Sequence, residues 1–169
     1  MKRRKVEKGR MEATWKAIRM VFILIFLLQS LLPIGASQNP EGIPSSVKSP
    51  QELERWLSGF KTQMQLPDVP QTAREMLISR AGDCDDFATL ASKALAGLGI
   101  SSTVLVIKFK GTSLRHAICL WKNENGNYDF FSSQKLVQTE KKSVEDVLKR
   151  YYPYSESVSV MDVSERGVF

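Results

Sequence analysis

The chain has 169 residues, of which 43% are apolar, 25% charged and 9% aromatic, with 10 Gly and 7 Pro; this is ordinary globular usage and excludes collagen-like, low-complexity and wholly disordered chains. The formal net charge of +6 sits entirely at the start, where residues 1 to 19 hold eight Lys/Arg against Glu7 and Glu12 and leave sixteen basic and sixteen acidic residues for the rest. The remaining chain is neutral, so composition gives no footing for a nucleic-acid partner.

The basic leader runs into Met20-Val-Phe-Ile-Leu-Ile-Phe-Leu-Leu, then Gln29-Ser30 and Leu31-Leu32-Pro33-Ile34-Gly35-Ala36-Ser37. A charged segment, an apolar segment and then small residues is the grammar of a secretory signal. The stretch from Val21 to Ala36 is 16 residues long and is interrupted by Gln29 and Pro33, whereas a spanning helix needs about 20 mostly apolar residues. Residues 1–37 are therefore read as a signal peptide cleaved after Ala36 or Ser37, with an uncleaved signal anchor, basic end in the cytoplasm, as the competing reading. Both place the domain outside the cytoplasm, whether secreted, periplasmic or tethered, with the membrane touched only by the N-terminal segment. Two cysteines, Cys84 and Cys119, are too few for a disulfide-stapled scaffold.

Residues 38–49, with prolines and small polar residues, read as a linker, and the domain spans 50–169. Ser49, Pro50 and Glu52 form a capping-box start, and Leu53, Trp56, Leu57 and Phe60 predict a helix over 50–64. A short helix follows over 71–80. After Ala81-Gly82-Asp83 the apolar positions Phe87, Leu90, Ala91, Ala94, Leu95 and Leu98 recur at steps of three and four, which predicts the chain's best helix, stopped by Gly97 and Gly99. Three antiparallel strands come next: Thr103 to Lys110, His116 to Trp121, and Tyr128 to Ser133 beyond an Asn125-Gly126 turn. A final helix opens at Ser143 and stops before Pro153, and Val158, Val160 and Val163 suggest a last strand.

Cys84 stands at the start of the best helix, where free backbone N–H groups and the positive end of the helix dipole favour thiolate. His116, the chain's single histidine, opens a strand on which it shares a face with Ile118 and Leu120, while Ala117, Cys119 and Trp121 share the other. A helix-borne thiol packed against a strand-borne imidazole suits nucleophilic catalysis, with the imidazole taking the thiol proton and returning it to the leaving group. The same residues also suit a core: a cysteine on an apolar helix face commonly acts as a small hydrophobe.

The run Gly82-Asp83-Cys84-Asp85-Asp86-Phe87-Ala88-Thr89-Leu90, followed by strands, His116-Ala117 and a hairpin, resembles the transglutaminase-like cysteine peptidase superfamily, above all its bacterial transglutaminase-like cysteine proteinases. The resemblance covers about residues 50 to 138. It implies an α+β, papain-like core in which the nucleophile helix packs on an antiparallel sheet, with Cys84 as nucleophile and His116 as general base. It also implies calcium at Asp83, Asp85 and Asp86, as in some members; those carboxylates equally suit a helix N-terminus and a pairing with Arg80. No other cofactor is expected.

For the third catalytic member the resemblance places an acid, often followed by Asn, about six residues beyond the turn glycine. Counting from Gly126 reaches Ser132, with Ser133 after it. The nearest acid is Asp129. With Asn125-Gly126 as a two-residue turn, Lys122 pairs with Asp129 while His116 lies opposite positions 133 to 135, so Asp129 falls on the order of 20 Å from His116 along the ladder. Ser132 is the expected third member and Asp129 the alternative. The expected activity is that of an exported thiol enzyme that hydrolyses or transfers acyl groups at peptide or amide bonds of a cell-envelope peptide or protein. The alternative is a weakly active or inactive domain of the same kind that binds such a partner.

Overall fold

The computed structural model describes residues 42–64 and 69–163, all within one compact unit. The expected signal or anchor segment, residues 1–37, lies outside the described residues. Among those described, no helix is long and apolar enough to cross a membrane.

Helix α1 (Pro50–Leu57) begins as its sequence dictates. Ser49 accepts the Glu52 N–H, proline occupies the first turn, and Leu53 and Leu57 are fully buried. It ends earlier than the apolar spacing predicts. Ser58 caps it and Phe60 turns into the core, with its ring 5.0 Å from that of Trp56 and 6.4 Å from that of Phe87. The chain then forms β1 (Lys61–Thr62), which pairs in parallel with β2 (Ala81–Gly82) after helix α2 (Ala73–Ser79). Arg80 closes α2 at φ 52, and its guanidinium lies 4.4 Å above the Phe60 ring.

Helix α3 (Cys84–Gly97) buries ten of its residues, including Phe87, Leu90, Ala91, Ala94 and Leu95. It lies against a five-stranded antiparallel sheet of β3 (Ser102–Phe109), β4 (Arg115–Lys122), β5 (Tyr128–Ser132), β6 (Lys135–Val137) and β7 (Ser155–Met161), in the order β6-β5-β4-β3-β7. Helix α4 (Val144–Tyr151) precedes β7. The fold is α+β.

The sheet's alternation divides the core in two. Val104, Ala117, Cys119, Trp121 and Phe131 join the α1–α3 side, and Leu105, Ile107, Ile118, Leu120 and Phe130 pack with Val147 of α4 on the other. Residues 42–49 are not a free linker: Ile43 and Val47 are 8% and 3% exposed and belong to the α1–α3 core, so burial extends the domain toward the N-terminus.

The hairpin register also differs from expectation by one residue. Lys122 pairs with Tyr128 and Trp121 with Asp129, because Asn123 N–H bonds Asn127 O and Gly126 N–H bonds Asn123 O, closing a longer loop than the Asn-Gly pair alone implies. β6 has no apolar alternation to announce it. It is held instead by Glu54, which accepts the Leu136 N–H at 3.1 Å, and by a hydrogen bond from Gln134 to the Phe60 carbonyl.

One buried carboxylate fixes where α3 begins. Asp86, 2% exposed, accepts the Gln71 backbone N–H at 2.7 Å, the Gln71 side-chain amide at 2.9 Å and the Asp83 N–H at 3.1 Å. Gly82 leaves room for it: a Cβ there would stand 2.8 Å from both Cβ and Oδ2 of Asp86. Replacing Asp86 with Asn turns an amide donor toward two N–H groups. Because charge-assisted bonds of this kind contribute about 1.5–3 kcal/mol each, Asp86→Asn is expected to lower stability by about 2 kcal/mol, read as a lower urea midpoint at unchanged denaturant slope.

Candidate active site

Cys84 is the first residue of α3 and is half-buried. Its side chain packs against the core cluster that includes Ala117, the residue that follows His116 on β4. This packing brings the start of α3 to the start of the β4 strand. Burial pushes the Cys84 thiol above its ordinary pKa; the Ala117 N–H works the other way, and the carboxylates of Asp83 and Asp85 push it further up. The helix start alone does not yield thiolate, contrary to the sequence expectation, because desolvation and two neighbouring anions outweigh it.

His116 is half-buried, and desolvation lowers its pKa below the ordinary 6.5, so the ring is neutral near pH 7. Its Nε2 lies 2.8 Å from Ser132 Oγ. Ser132 ends β5 in register with Ile118, which sets it diagonally across from His116 on the same sheet face. Ser133 follows at φ 51 in the two-residue link to β6. Of the two candidates for the third member, Ser132 is the one placed against the imidazole.

Asp129 is placed elsewhere. It pairs with Trp121 on the α3 side of the sheet and is 4% exposed. Its carboxylate accepts the Asn123 side-chain amide at 2.9 Å and the Thr139 N–H at 2.8 Å, tying the hairpin to the segment after β6.

The sequence reading missed Tyr152, which caps the C-terminus of α4. Its ring centroid is 5.9 Å from that of His116, 6.0 Å from Phe130 and 6.5 Å from Phe109. Burial raises the pKa of its phenol, with Ser132 working the other way and the nearby Cys84 sulfur adding to the rise. A lone tyrosine beyond the last turn of a short helix carries no motif, and only the packing of α4 beneath the sheet brings it to the imidazole.

The acidic residues around Cys84 divide into two kinds. Asp86 is spent on Gln71 and Asp83, whereas one side-chain donor atom from each of Asp83, Cys84 and Asp85 lies within 4.8 Å of the others. Calcium takes six to eight oxygens and disfavours sulfur, and with Asp86 committed to three N–H groups the expected trio does not fit that ion. Cys119 is fully buried, and desolvation pushes its thiol up to about 12 against the opposing pull of Ser102 and Ser92. Both cysteines are free thiols.

Residues 43–152 match the transglutaminase-like domain family, and the chain belongs to that family. No curated protein matches the chain. Among solved structures, a candidate cysteine protease from Cytophaga hutchinsonii is similar at 17% identity and a TM-score of 0.43, over 66% of this chain and 41% of that one.

The contrast between the two thiols is directly measurable. In the native protein iodoacetamide is expected to modify Cys84 alone, with a rate that climbs through the alkaline range, while Cys119 becomes reactive only after denaturation. Mass spectrometry of the two cysteine peptides reads both outcomes; equal modification in the folded state contradicts the complete burial of Cys119.

Proposed function

We propose that this transglutaminase-like protein is an exported thiol enzyme acting on peptide or amide bonds of a cell-envelope peptide or protein, with Cys84 as nucleophile and His116 as general base in a papain-like site. The observation that supports the reading is the packing of Cys84, at the start of α3, against the core cluster that includes Ala117, the neighbour of His116 on β4. The family supports it, and the leader of residues 1–37 supplies the export.

The pKa directions define the resting state as a neutral pair, thiol and imidazole. His116 takes the Cys84 proton as sulfur attacks the substrate carbonyl, and the imidazolium returns that proton to the departing amine, leaving a thioester on Cys84. Water or a second amine then attacks the thioester and regenerates the thiol. Both products pass through one acyl-enzyme, so hydrolysis and transfer use the same residues. Backbone N–H groups in the first turn of α3 are available to the developing oxyanion. Ser132 accepts from the imidazolium but supplies no charge to it.

The place of Ser132, where a carboxylate would stabilise the imidazolium, favours a second reading, a domain with weak or no catalysis that binds an envelope partner. A peptide bearing a thiol-reactive electrophile separates the two. The enzyme reading expects labelling at Cys84 and not Cys119, with an acid limb below pH 6.5 because burial lowers the His116 pKa, and a loss of about 10²–10⁴-fold in His116→Ala. A wild-type Cys84 that stays unlabelled across the whole pH range overturns that reading and leaves the binding domain.

Ser132→Asp adds the missing charge. A carboxylate at position 132 beside Nε2 is expected to raise the His116 pKa, which moves the acid limb upward. It should also increase the thiolate fraction at pH 7, read by thiolate absorbance in the ultraviolet.

A further inference from the structure

We propose that a cleft of about 510 Å³, bordered by the start of α1, the end of α3 and the β4–β5 hairpin, binds the free amino terminus of a short peptide, with the buried carboxylate of Asp129 receiving its ammonium group. Helix α3 has 14 residues, so at about 1.5 Å per residue the cleft at its end lies on the order of 20 Å from Cys84 at its start. The site stands apart from Cys84 and does not depend on the enzyme reading.

Asp129 borders this cleft and is 4% exposed. Each of its oxygens accepts one hydrogen bond, from the Asn123 side-chain amide at 2.9 Å and from the Thr139 N–H at 2.8 Å, and both donors are neutral. A carboxylate offers about four lone-pair sites, so two remain open. No ion pair reaches Asp129 among the described residues, whereas buried charges are ordinarily paired. Lys48 and Lys122 also border the cleft but are exposed, and the Lys122 ammonium lies 5.9 Å from the Tyr128 ring centroid. An ammonium group entering from the cleft can take the two open sites.

The rest of the lining says what carries that ammonium. Leu98 caps the C-terminus of α3 and borders the cleft, and the dipole at that end of a helix favours positive charge. Together with Trp121, Ile100 and Leu136 it forms an apolar wall, which suits a large apolar side chain next to the amine. The carboxamides of Gln51, Asn125 and Gln138 border the cleft too and make no hydrogen bond among the described residues, so they are open to a peptide group. An N-terminal residue with an apolar side chain, followed by a peptide bond, carries all three chemistries. The volume is within the range of about 300–1,000 Å³ that is ordinary for small-ligand pockets.

Leucylglycine amide is the probe, titrated into the protein while backbone amide signals are followed by NMR. The signals of Lys122 to Asn125 are expected to move and those of the first turn of α3 to stay in place. N-acetylation of the probe removes the ammonium and is expected to weaken binding about ten-fold or more, as the loss of a charge-assisted hydrogen bond does. Glycylglycine amide lacks the apolar side chain and isoamylamine lacks the peptide bond; both are expected to bind more weakly than the probe. Asp129→Asn should erase the preference for the free amine, and Cys84→Ser should leave the affinities unchanged.

Equal binding of the free and acetylated peptides overturns the proposal, as do signals that move only at the start of α3 and a titration in which none moves. Glycylglycine amide or isoamylamine that binds as tightly as the probe overturns it as well. Where Asp129→Asn does not fold, the comparison of free and acetylated peptides on the wild-type protein decides alone. An unreactive Cys84 beside amine-dependent binding removes the enzyme reading and leaves this site standing.

Discussion

The Asp86 carboxylate is buried in the first turn of α3, receives N–H groups from Gln71 and Asp83, and is admitted by the missing side chain of Gly82. A buried anion is tolerated only when its lone pairs are occupied, so this one anchors the chain before α2 to the chain before α3. The parallel bridge between β1 and β2 adds a second tie, from Arg80 and Gly82 carbonyls to the Lys61 and Gln63 N–H groups. Between them these bonds determine the rotation at which α3 starts. Since Cys84 is the first residue of that helix, they determine where its sulfur points.

The electrostatics at the site run against a preformed ion pair. Desolvation raises the thiol and lowers the imidazole, so the charged forms of both are disfavoured at once. Asp83 and Asp85 add to this on the cysteine side. Such a site holds Cys84 as the thiol and His116 as the neutral ring. A protonated His116 would meet the Ser132 hydroxyl in place of a carboxylate, and a hydroxyl supplies no charge to it.

Much of this was legible in residues 82 to 90. Glycine, an N-capping aspartate, a cysteine and an apolar stripe identify a helix start with chemistry on it, and the alternation after His116 gives the strand and its faces. Other features arise from contacts between segments distant in sequence. The apolar spacing that extends α1 to position 64 ignores Phe60, whose ring leaves the helix for the core. The Asn125-Gly126 signal sets a turn, but Asn123 and Asn127 widen it and shift the pairing by one. The count from Gly126 still reaches Ser132 because that position depends on the strand's end rather than on the turn's type. The residue after it adopts φ 51, a backbone region that Asn favours, which gives a physical reason for an asparagine at the corresponding place in the family resemblance. Tyr152 could not be read at all, since its relevance comes from the opposite layer.

The two halves of the site are carried by different layers. Cys84 is fixed to the layer built from α1, α2 and α3, and His116, Ser132 and Tyr152 belong to the layer closed by α4, whose one fully buried residue is Val147. Cys84 and His116 therefore lie against hydrophobic clusters of unequal size. Local opening costs least where the fewest apolar contacts hold an element, so on the proposed reading the seating of α4, a single short helix, would govern the alignment of the imidazole below the melting of the domain.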